Sequence, residues 1–450
     1  MKTKVIAIFD VGKTNKKLIL FDEQYYPVYE KSIQLPEIVD EDGFPCEDLQ
    51  ALTDWIKNSF HSILSGNQFD LRAINFAAYG ASFVHLGANH QPVTPLYNYL
   101  KPYPQALQIQ FYSYYGGEEA LALQTASPVL GSLNSGLQLY RLKYEKPEIF
   151  KKISCSLHLP QYLSFLISSK LATDITSLGC HTHLWNFGKN EYHAWVMKEG
   201  ILSKFADIHD SDKPIGKIVV ATSENFDIPV GIGLHDSSAA LIPYLSSVKE
   251  SFILLSTGTW SISLNPFNHS SLTKEELELD CLCYLSYTGK AVKASRLFAG
   301  YMHEQQVKKI AGHFSKSDDY YTSVSCNFEL LDSLFEKYYG MSEHSSEFSY
   351  EHNLYSFSNF EEAYHQLIFD LILQQIESTK LVLKGSTVKK IFVDGGFSKN
   401  PVYMQMLSRS FPEMNVLASS MSQATALGAA LSIHGYWNSQ EVPLNLVNRP

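Results

Sequence analysis

Apolar and polar positions change their period several times along this chain. Lys4 to Phe9 is an apolar run that stops at Asp10-Val11-Gly12-Lys13-Thr14-Asn15-Lys16-Lys17, and Leu18 to Phe21 is apolar again. Two such runs around a polar, glycine-containing turn predict a hairpin. A third strand fits Val28 to Leu35. Leu49, Leu52, Ile56, Phe60, Ile63 and Leu64 then recur at helical spacing, and Leu71 to Ala78 returns to a strand that stops at Tyr79-Gly80. Further on, Gly136 to Glu145 and Leu159 to Ser168 read as helices. Lys213 to Pro229 holds a short strand and turns. Gly231 to Ala240 reads as a strand end, a turn at Gly233-Leu234-His235-Asp236 and a helix from Ser237.

Near the middle the pattern restarts. Ser251 to Leu255, the turn Ser256-Thr257-Gly258-Thr259 and Trp260 to Leu264 repeat the opening hairpin. A long amphipathic helix over Phe360 to Leu383 follows. Then come a strand over Lys390 to Val393 with the exit turn Asp394-Gly395-Gly396, a strand over Asn415 to Ala418 and a small-residue helix over Ala424 to Ile433. Hairpin, helix and glycine-ended strand, found twice, predict an α/β fold of two duplicated domains with a cleft between them. We set the boundary inside Tyr244 to Lys249, giving domains 1–245 and 246–450.

Composition agrees with this and narrows the partners. The chain has 450 residues, room for two domains of roughly 200 each. At 45% hydrophobic and 18% charged it is neither disordered, coiled-coil nor collagen-like. A net charge of −10 without a Lys/Arg-rich block excludes general nucleic-acid binding. Local amides and single cations still allow an anionic small molecule. Met1 to Ile8 lacks a signal-peptide core and no run reaches membrane-spanning length, so a cytoplasmic protein is expected. The 27 Tyr and 26 Phe serve packing or line sugar and purine pockets.

Several segments can carry chemistry. In Asp10-x-Gly12-x-Thr14, glycine allows a tight turn, Thr14 and exposed amides can donate to anionic oxygens, and Lys13, Lys16 and Lys17 add charge. Asp10 at a strand end can hold Mg²⁺ directly or through water. An ordinary solvated hairpin turn fits the same residues. Thr257, Gly258 and Thr259 form a second turn of this kind, and two in equivalent places of a repeat could clamp a polyphosphate. Gly395 and Gly396 would let a flat ring lie on the backbone, with Asn400 able to donate and accept. Asp236 at a strand exit could take a proton from a substrate hydroxyl, or cap a helix. His181-x-His183 and Cys281-x-Cys283 would each face one side of a strand, but neither has partners that make a metal site.

Taken together, these segments resemble the FGGY family of carbohydrate kinases over nearly the whole chain. The signatures are Asp10 to Lys17, Gly233 to Asp236, Ser256 to Trp260, Asp394 to Asn400 and Ala424 to Ala430, in that order. The resemblance implies two ribonuclease-H-like, actin-type ATPase domains with a nucleotide cleft between them. It implies ATP and Mg²⁺ as cofactors, a sugar as the other small-molecule partner, no nucleic acid or membrane, and a monomer or homodimer. Within the family the chain resembles the rhamnulose-kinase branch at Tyr79 to Val84, Tyr97 to Tyr99, Asn134 to Tyr140 and Leu159 to Leu163.

By that resemblance Asp236 is the general base, and Gly80, His235 and Ser237 fall on sugar-contacting positions. Tyr79 and Ser82 join them on the substrate side. Thr259 and Gln305 fall on ATP-contacting positions. The turns Gly12, Lys13, Thr14, Asn15, Lys16, Lys17 and Thr257 to Thr259 would cradle phosphates. Gly395, Gly396 and Asn400 would hold adenosine, and Asp10 would hold Mg²⁺ mostly through water. The branch usually carries Trp-Gly-Val-Asp at Tyr79 to Ser82, Tyr-Arg-Asp at Tyr99 to Lys101, asparagine at Leu297 and glycine at Asp394. The implied activity is phosphorylation of a ketose at a terminal hydroxyl. L-Rhamnulose to L-rhamnulose 1-phosphate leads, L-fuculose or a pentulose follows, and a non-catalytic sugar sensor on the same fold competes. Phe83, Tyr97 or Tyr99 could form an apolar wall for a 6-deoxy methyl group.

Overall fold

The opening hairpin forms as its pattern dictates: Thr3–Val11 pairs antiparallel with Lys16–Asp22, which pairs with Pro27–Ile33. The structure is a computed structural model that describes all residues except 1, 67, 220–226, 341–351, 420, 422, 445 and 449–450. Part of the segment expected to hold a short strand and turns, 220–226, therefore lies outside the described residues. Its strand is seen at Pro214–Lys217. After the helix Leu49–Ser65, capped at Asp48 by a bond from the Ala51 amide, Phe69–Ala78 pairs parallel with the first strand. Pro229–Gly231 and Leu234–His235 then extend the sheet beyond Phe69–Ala78.

The second half repeats this order. Ile253–Thr257 and Ser261–Asn265 form the hairpin, Ala291–Leu297 adds the third strand and Cys281–Leu285 lies outside it. Lys390–Gly395 pairs parallel with the first of these, and Asn415–Ala418 follows. In both sheets the third, second, first, fourth and fifth strands lie side by side in that order. This is the duplication the sequence pattern predicts. The helices Leu159–Ser168 and Phe360–Leu383 have the expected ends.

Two small-residue helices, Asp236–Ser247 and Ala424–Ser432, fill the layer between the sheets. They cross so closely that a Cβ on Gly428 would lie 1.8 Å from the Ala239 carbonyl oxygen. Ile6, Ile8, Ala73 and Ala77 of one sheet and Leu254, Leu264 and Ala294 of the other share one apolar core with them. The helix expected from Ser237 begins one residue earlier, at Asp236, with His235 as its N-cap. His181 and His183 do not alternate in a strand. Both have positive φ, at 40° and 61°, and their rings go to different partners. Cys281 and Cys283 do face one side of a strand, into the core.

Candidate active site

The carboxyl ends of three neighbouring parallel strands converge on one place. Asp10 lies beside Ala77, and His235 beside Ala78, so Asp10, Tyr79-Gly80 and His235-Asp236 leave the sheet together. Parallel sheets leave their ligand crevice at this end. Asp236 opens its helix, and its Oδ1 accepts from the Ser237 amide at 2.6 Å and lies 3.1 Å from His235 Nε2. Asp236 is partly exposed, whereas His235 is buried. Burial holds the imidazole below its usual pKa against the opposing pull of Asp236, which keeps the ring neutral. The same Nε2 is 3.0 Å from Cys180 Sγ, and Ser238 Oγ is 3.3 Å from Nδ1.

Burial and the charge on Asp236 push Asp10 up to about 7, with Lys17 pulling back. A divalent cation would reverse that cost, because it favours ionised oxygen ligands. The donor set therefore suits Mg²⁺. Among the described residues no group of three or more His, Cys, Asp or Glu could hold a metal by itself.

Below Asp10 the Gly12 amide closes the turn after the first strand on the Asn15 carbonyl at 3.0 Å. Thr14 and Asn15 are exposed there, and Lys13 pairs with Glu37 at 3.0 Å. Lys17 faces Glu30 across the sheet at 3.6 Å. Lys16 departs from expectation. Its side chain is 2% exposed and pairs with buried Glu47 at 2.5 Å, so its charge is neutralised inside the fold. Tyr79 donates to the other Glu47 oxygen at 2.5 Å, which joins the Gly12 to Lys17 turn to the Tyr79-Gly80 segment.

Gly80 packs against the residue before Asp236: a Cβ there would lie 2.9 Å from Cys180 Sγ and 3.0 Å from the His235 ring. Ser82 is buried behind it. Of the three expected wall rings, Tyr99 lies beside this segment, its ring 6.0 Å from that of Tyr79, and burial and then the charge on Asp236 push its hydroxyl up to about 12. Phe83 and Tyr97 pack into the neighbouring core instead. The second half reaches this place too, because the Tyr284 ring meets the His235 ring at 5.5 Å and Ser238 donates to the Leu285 carbonyl.

The matching strand ends of the second half open on a cavity of about 390 Å³ lined by Thr257, Gly258, Thr259, Gly396 and Asn400. Thr257 Oγ1 accepts from the Phe397 amide at 3.1 Å, which shapes the wall. Gly395 has φ +85°, and a Cβ there would strike the Thr257 carbonyl at 1.8 Å. A Cβ on Gly396 would meet no atom within 4 Å, so that face is open. Asn400 spends its amide on the Tyr364 hydroxyl and its oxygen on the Tyr403 amide. Gln305 does not line the cavity. Tyr301, Glu304 and Lys308 of its helix Ala299–His313 do, and Gly300 lets that helix approach the Gly258 carbonyl. These residues escaped the sequence reading, although Gly300 followed by His303 and Val307 at helical spacing carried the signal.

The description of the FGGY family of carbohydrate kinases, N-terminal domain, matches residues 5–243, and that of the carbohydrate kinase FGGY C-terminal domain matches 249–441. The chain belongs to the FGGY family of carbohydrate kinases. A rhamnulokinase of Halalkalibacterium halodurans is 26% identical over 265 residues, covering 56% of this chain and 54% of that protein. A rhamnulokinase of Oceanobacillus iheyensis is 24% identical over 231 residues, covering 50% and 48%. The chain thus spans about half the length of the curated relatives it matches. Likeness of fold to solved structures extends over nearly the whole chain. A carbohydrate kinase from Novosphingobium aromaticivorans superposes with TM-score 0.81 at 21% identity, over 98% of this chain and 93% of that one. A ligand-bound xylulose kinase from Lactobacillus acidophilus gives 0.79 at 16% identity, over 98% and 91%. The two-domain α/β class read from the sequence is therefore the observed one. No helix among the described residues is long and apolar enough to cross a membrane.

Proposed function

We propose that the protein transfers the γ-phosphoryl group of ATP to the terminal hydroxyl of a ketose, with L-rhamnulose the leading substrate and L-rhamnulose 1-phosphate the product. L-Fuculose and the pentuloses stand behind it. The carrying observation is Asp236: a partly exposed carboxylate at the first turn of a helix, beside Asp10 and against a neutral, buried His235. Matches to rhamnulokinases support the substrate class. Residues 1–245 form the sugar side and 246–450 the nucleotide side, with adenosine against Gly395, Gly396 and Asn400. The six cysteines, all free, suit a reducing cytoplasm.

Phosphoryl transfer asks for positioning and charge neutralisation more than covalent chemistry. Asp236 orients the sugar hydroxyl and takes its proton as the new O–P bond forms and the bond to the ADP leaving oxygen breaks. The turns at Gly12 to Lys17 and Thr257 to Thr259 cradle the phosphates with backbone amides, and Lys13 and Lys17, partly exposed and paired with Glu37 and Glu30, are cations of the first turn able to swing. Mg²⁺ held near Asp10 would neutralise phosphate charge when bound. Closure of the halves excludes water as a competing acceptor.

An ADP-release assay over L-rhamnulose, L-fuculose, L- and D-xylulose, L-ribulose, glycerol and D-gluconate tests this. L-Rhamnulose should give the highest kcat/KM. A lead of about tenfold or more for glycerol or gluconate would break the branch assignment and keep the kinase. Sugar binding without ADP release from any of them would favour the sensor.

A further inference from the structure

Asn75 is a polar residue on an otherwise apolar face. It lies in Phe69–Ala78 between Ala73 and Ala77, which both belong to the core shared by the two halves, and it is fully buried. Burying a carboxamide is costly unless all its hydrogen-bonding capacity is used. Here it is. The side-chain nitrogen donates to the Ala429 carbonyl at 2.8 Å and to Ser432 Oγ at 3.1 Å. Oδ1 accepts from the Phe76 amide at 2.9 Å and the Gly233 amide at 3.1 Å. Ser432 gives its own hydrogen to the Ala429 carbonyl at 3.0 Å, so it can only accept from Asn75, which fixes the orientation of the amide.

The need for this side chain comes from the neighbouring strand. Val230 pairs with Ile74 and Leu234 with Ala77, so one extra residue is inserted opposite Phe69–Ala78. Such a bulge interrupts the ladder, and Asn75 supplies the acceptor that the Phe76 and Gly233 amides need. Gly231 makes room, because a Cβ there would lie 2.2 Å from the carboxamide. The bulge ends at His235 and Asp236. Its backbone is also held from the helix Leu159–Ser168, by Gln161 on the Gly233 carbonyl and Ser164 on the Gly231 carbonyl. Both of those belong to the sugar-side half. Asn75 alone among these three side chains reaches a helix of the other half.

We propose that Asn75 is a positioning residue that registers the segment carrying His235 and Asp236 against the nucleotide-side half through the helix Ala424–Ser432. It touches neither substrate and acts through the Gly233 backbone. The kinetic part rests on the kinase function proposed above.

The test uses Asn75→Ala and Ser432→Ala in the full chain, with hydrogen exchange, calorimetric ATP binding and steady-state kinetics on the best ketose. In Asn75→Ala, amide exchange over 231–236 should quicken and kcat should fall by roughly 10- to 100-fold, the usual effect of a misplaced catalytic group. KM for ATP should stay within about threefold, since the nucleotide cavity is untouched. Ser432→Ala removes only one acceptor and should show the same pattern at about two- to fivefold. The double variant should be no worse than Asn75→Ala, the non-additivity expected of one network. A folded Asn75→Ala with unchanged kcat and exchange overturns the proposal, as do additive effects. If Asn75→Ala does not fold, Ser432→Ala decides, and unchanged kcat and exchange there overturn it. Should the wild type phosphorylate no ketose, the kinase function fails, and exchange over 231–236 still judges the positioning.

Discussion

Gly80→Ala is a minimal change that tests the proposed division into a sugar side and a nucleotide side. The added methyl would lie 2.9 Å from Cys180 Sγ and 3.0 and 3.1 Å from two atoms of the His235 ring. Carbon contacts relax at about 3.5 Å or more, so the ring must retreat by roughly 0.5 Å. Room to retreat is short, because Tyr284 backs the ring, the His235 amide is held by Thr176 Oγ1 and both ring nitrogens have partners. The ring also stands 3.1 Å from Asp236 Oδ1, so its movement reaches the proposed base. Overpacking of this kind costs about 1–3 kcal/mol of stability. A sub-ångström shift of the base should lower kcat/KM for the ketose by about 10- to 100-fold. ATP affinity should not change, since the cavity lined by Thr257 to Thr259 and Gly396 belongs to the other half. Calorimetry with ATP, thermal melting and the ADP-release assay measure the three quantities separately. Ketose turnover within about threefold of wild type in a folded Gly80→Ala would refute the reasoning, as would an equal loss of ATP binding.

Gly396→Val should do the opposite, weakening ATP binding with little change in fold, because its side chain enters open cavity space rather than protein; unchanged nucleotide titration would remove Gly396 from the site. Asp236→Asn should lower kcat by about two orders of magnitude or more while ATP still binds, the usual worth of a general base, and near-normal turnover would exclude Asp236. Asp10, raised to about 7, should make the Mg²⁺ requirement pH-dependent: protonation below that pH removes the anionic ligand, so half-saturating Mg²⁺ rises as pH falls. Because folding raises this carboxyl above its ordinary value of 3.8, the metal-free protein should lose stability as pH climbs from there to about 7, and Asp10→Asn should flatten that slope in melts across the range. A requirement independent of pH would place Mg²⁺ away from Asp10.

The duplicated plan was legible because each half opens with apolar runs around a glycine-containing turn, and a change of period marks every crossover. The ends of Phe360–Leu383 and Leu159–Ser168 followed from their apolar spacing and flanking polar residues. What stayed hidden depends on distant partners. Nothing in Lys13-Thr14-Asn15-Lys16-Lys17 says which lysine turns inward. That is decided by strand alternation meeting Glu47, which sits just before a helix elsewhere in the chain. The start of the helix at Asp236 was missed because Gly233 reads as the centre of a turn, whereas its φ of +84° marks a bulge two residues before the helix cap. Asn75 was visible as a lone polar residue in Ala73 to Ala78. Its reason was not visible, since three of its four hydrogen-bond partners lie far away in sequence.

Glu47 bears on which sugars fit. The rhamnulose-kinase branch usually offers a carboxylate where this chain has Ser82, and Glu47, bonded to Tyr79, is the buried carboxylate beside that segment. It is not free to replace the missing one. One oxygen takes the Tyr79 hydroxyl and the other the Lys16 ammonium, with the two charged side chains 4% and 2% exposed. Removing either charge would strand the other at a cost of about 3–5 kcal/mol, so the pair is bound up in the fold. Lys101, where the branch has an aspartate, is spent in the same way on Asp40 and Asp42. On the proposed function, sugar selection beyond the hydroxyl held by Asp236 should therefore fall to neutral groups, among them Ser82, His235 and Tyr99. A pocket whose charged acceptor meets only the reacting hydroxyl separates stereoisomers at the other carbons less sharply than one that leaves a buried charge unpaired on mismatch, by about a hundredfold rather than ten-thousandfold. On this argument L-rhamnulose should lead the ketoses by only a modest margin in the same assay, with L-fuculose and the pentuloses measurable as substrates, and a lead of about ten-thousandfold would refute it.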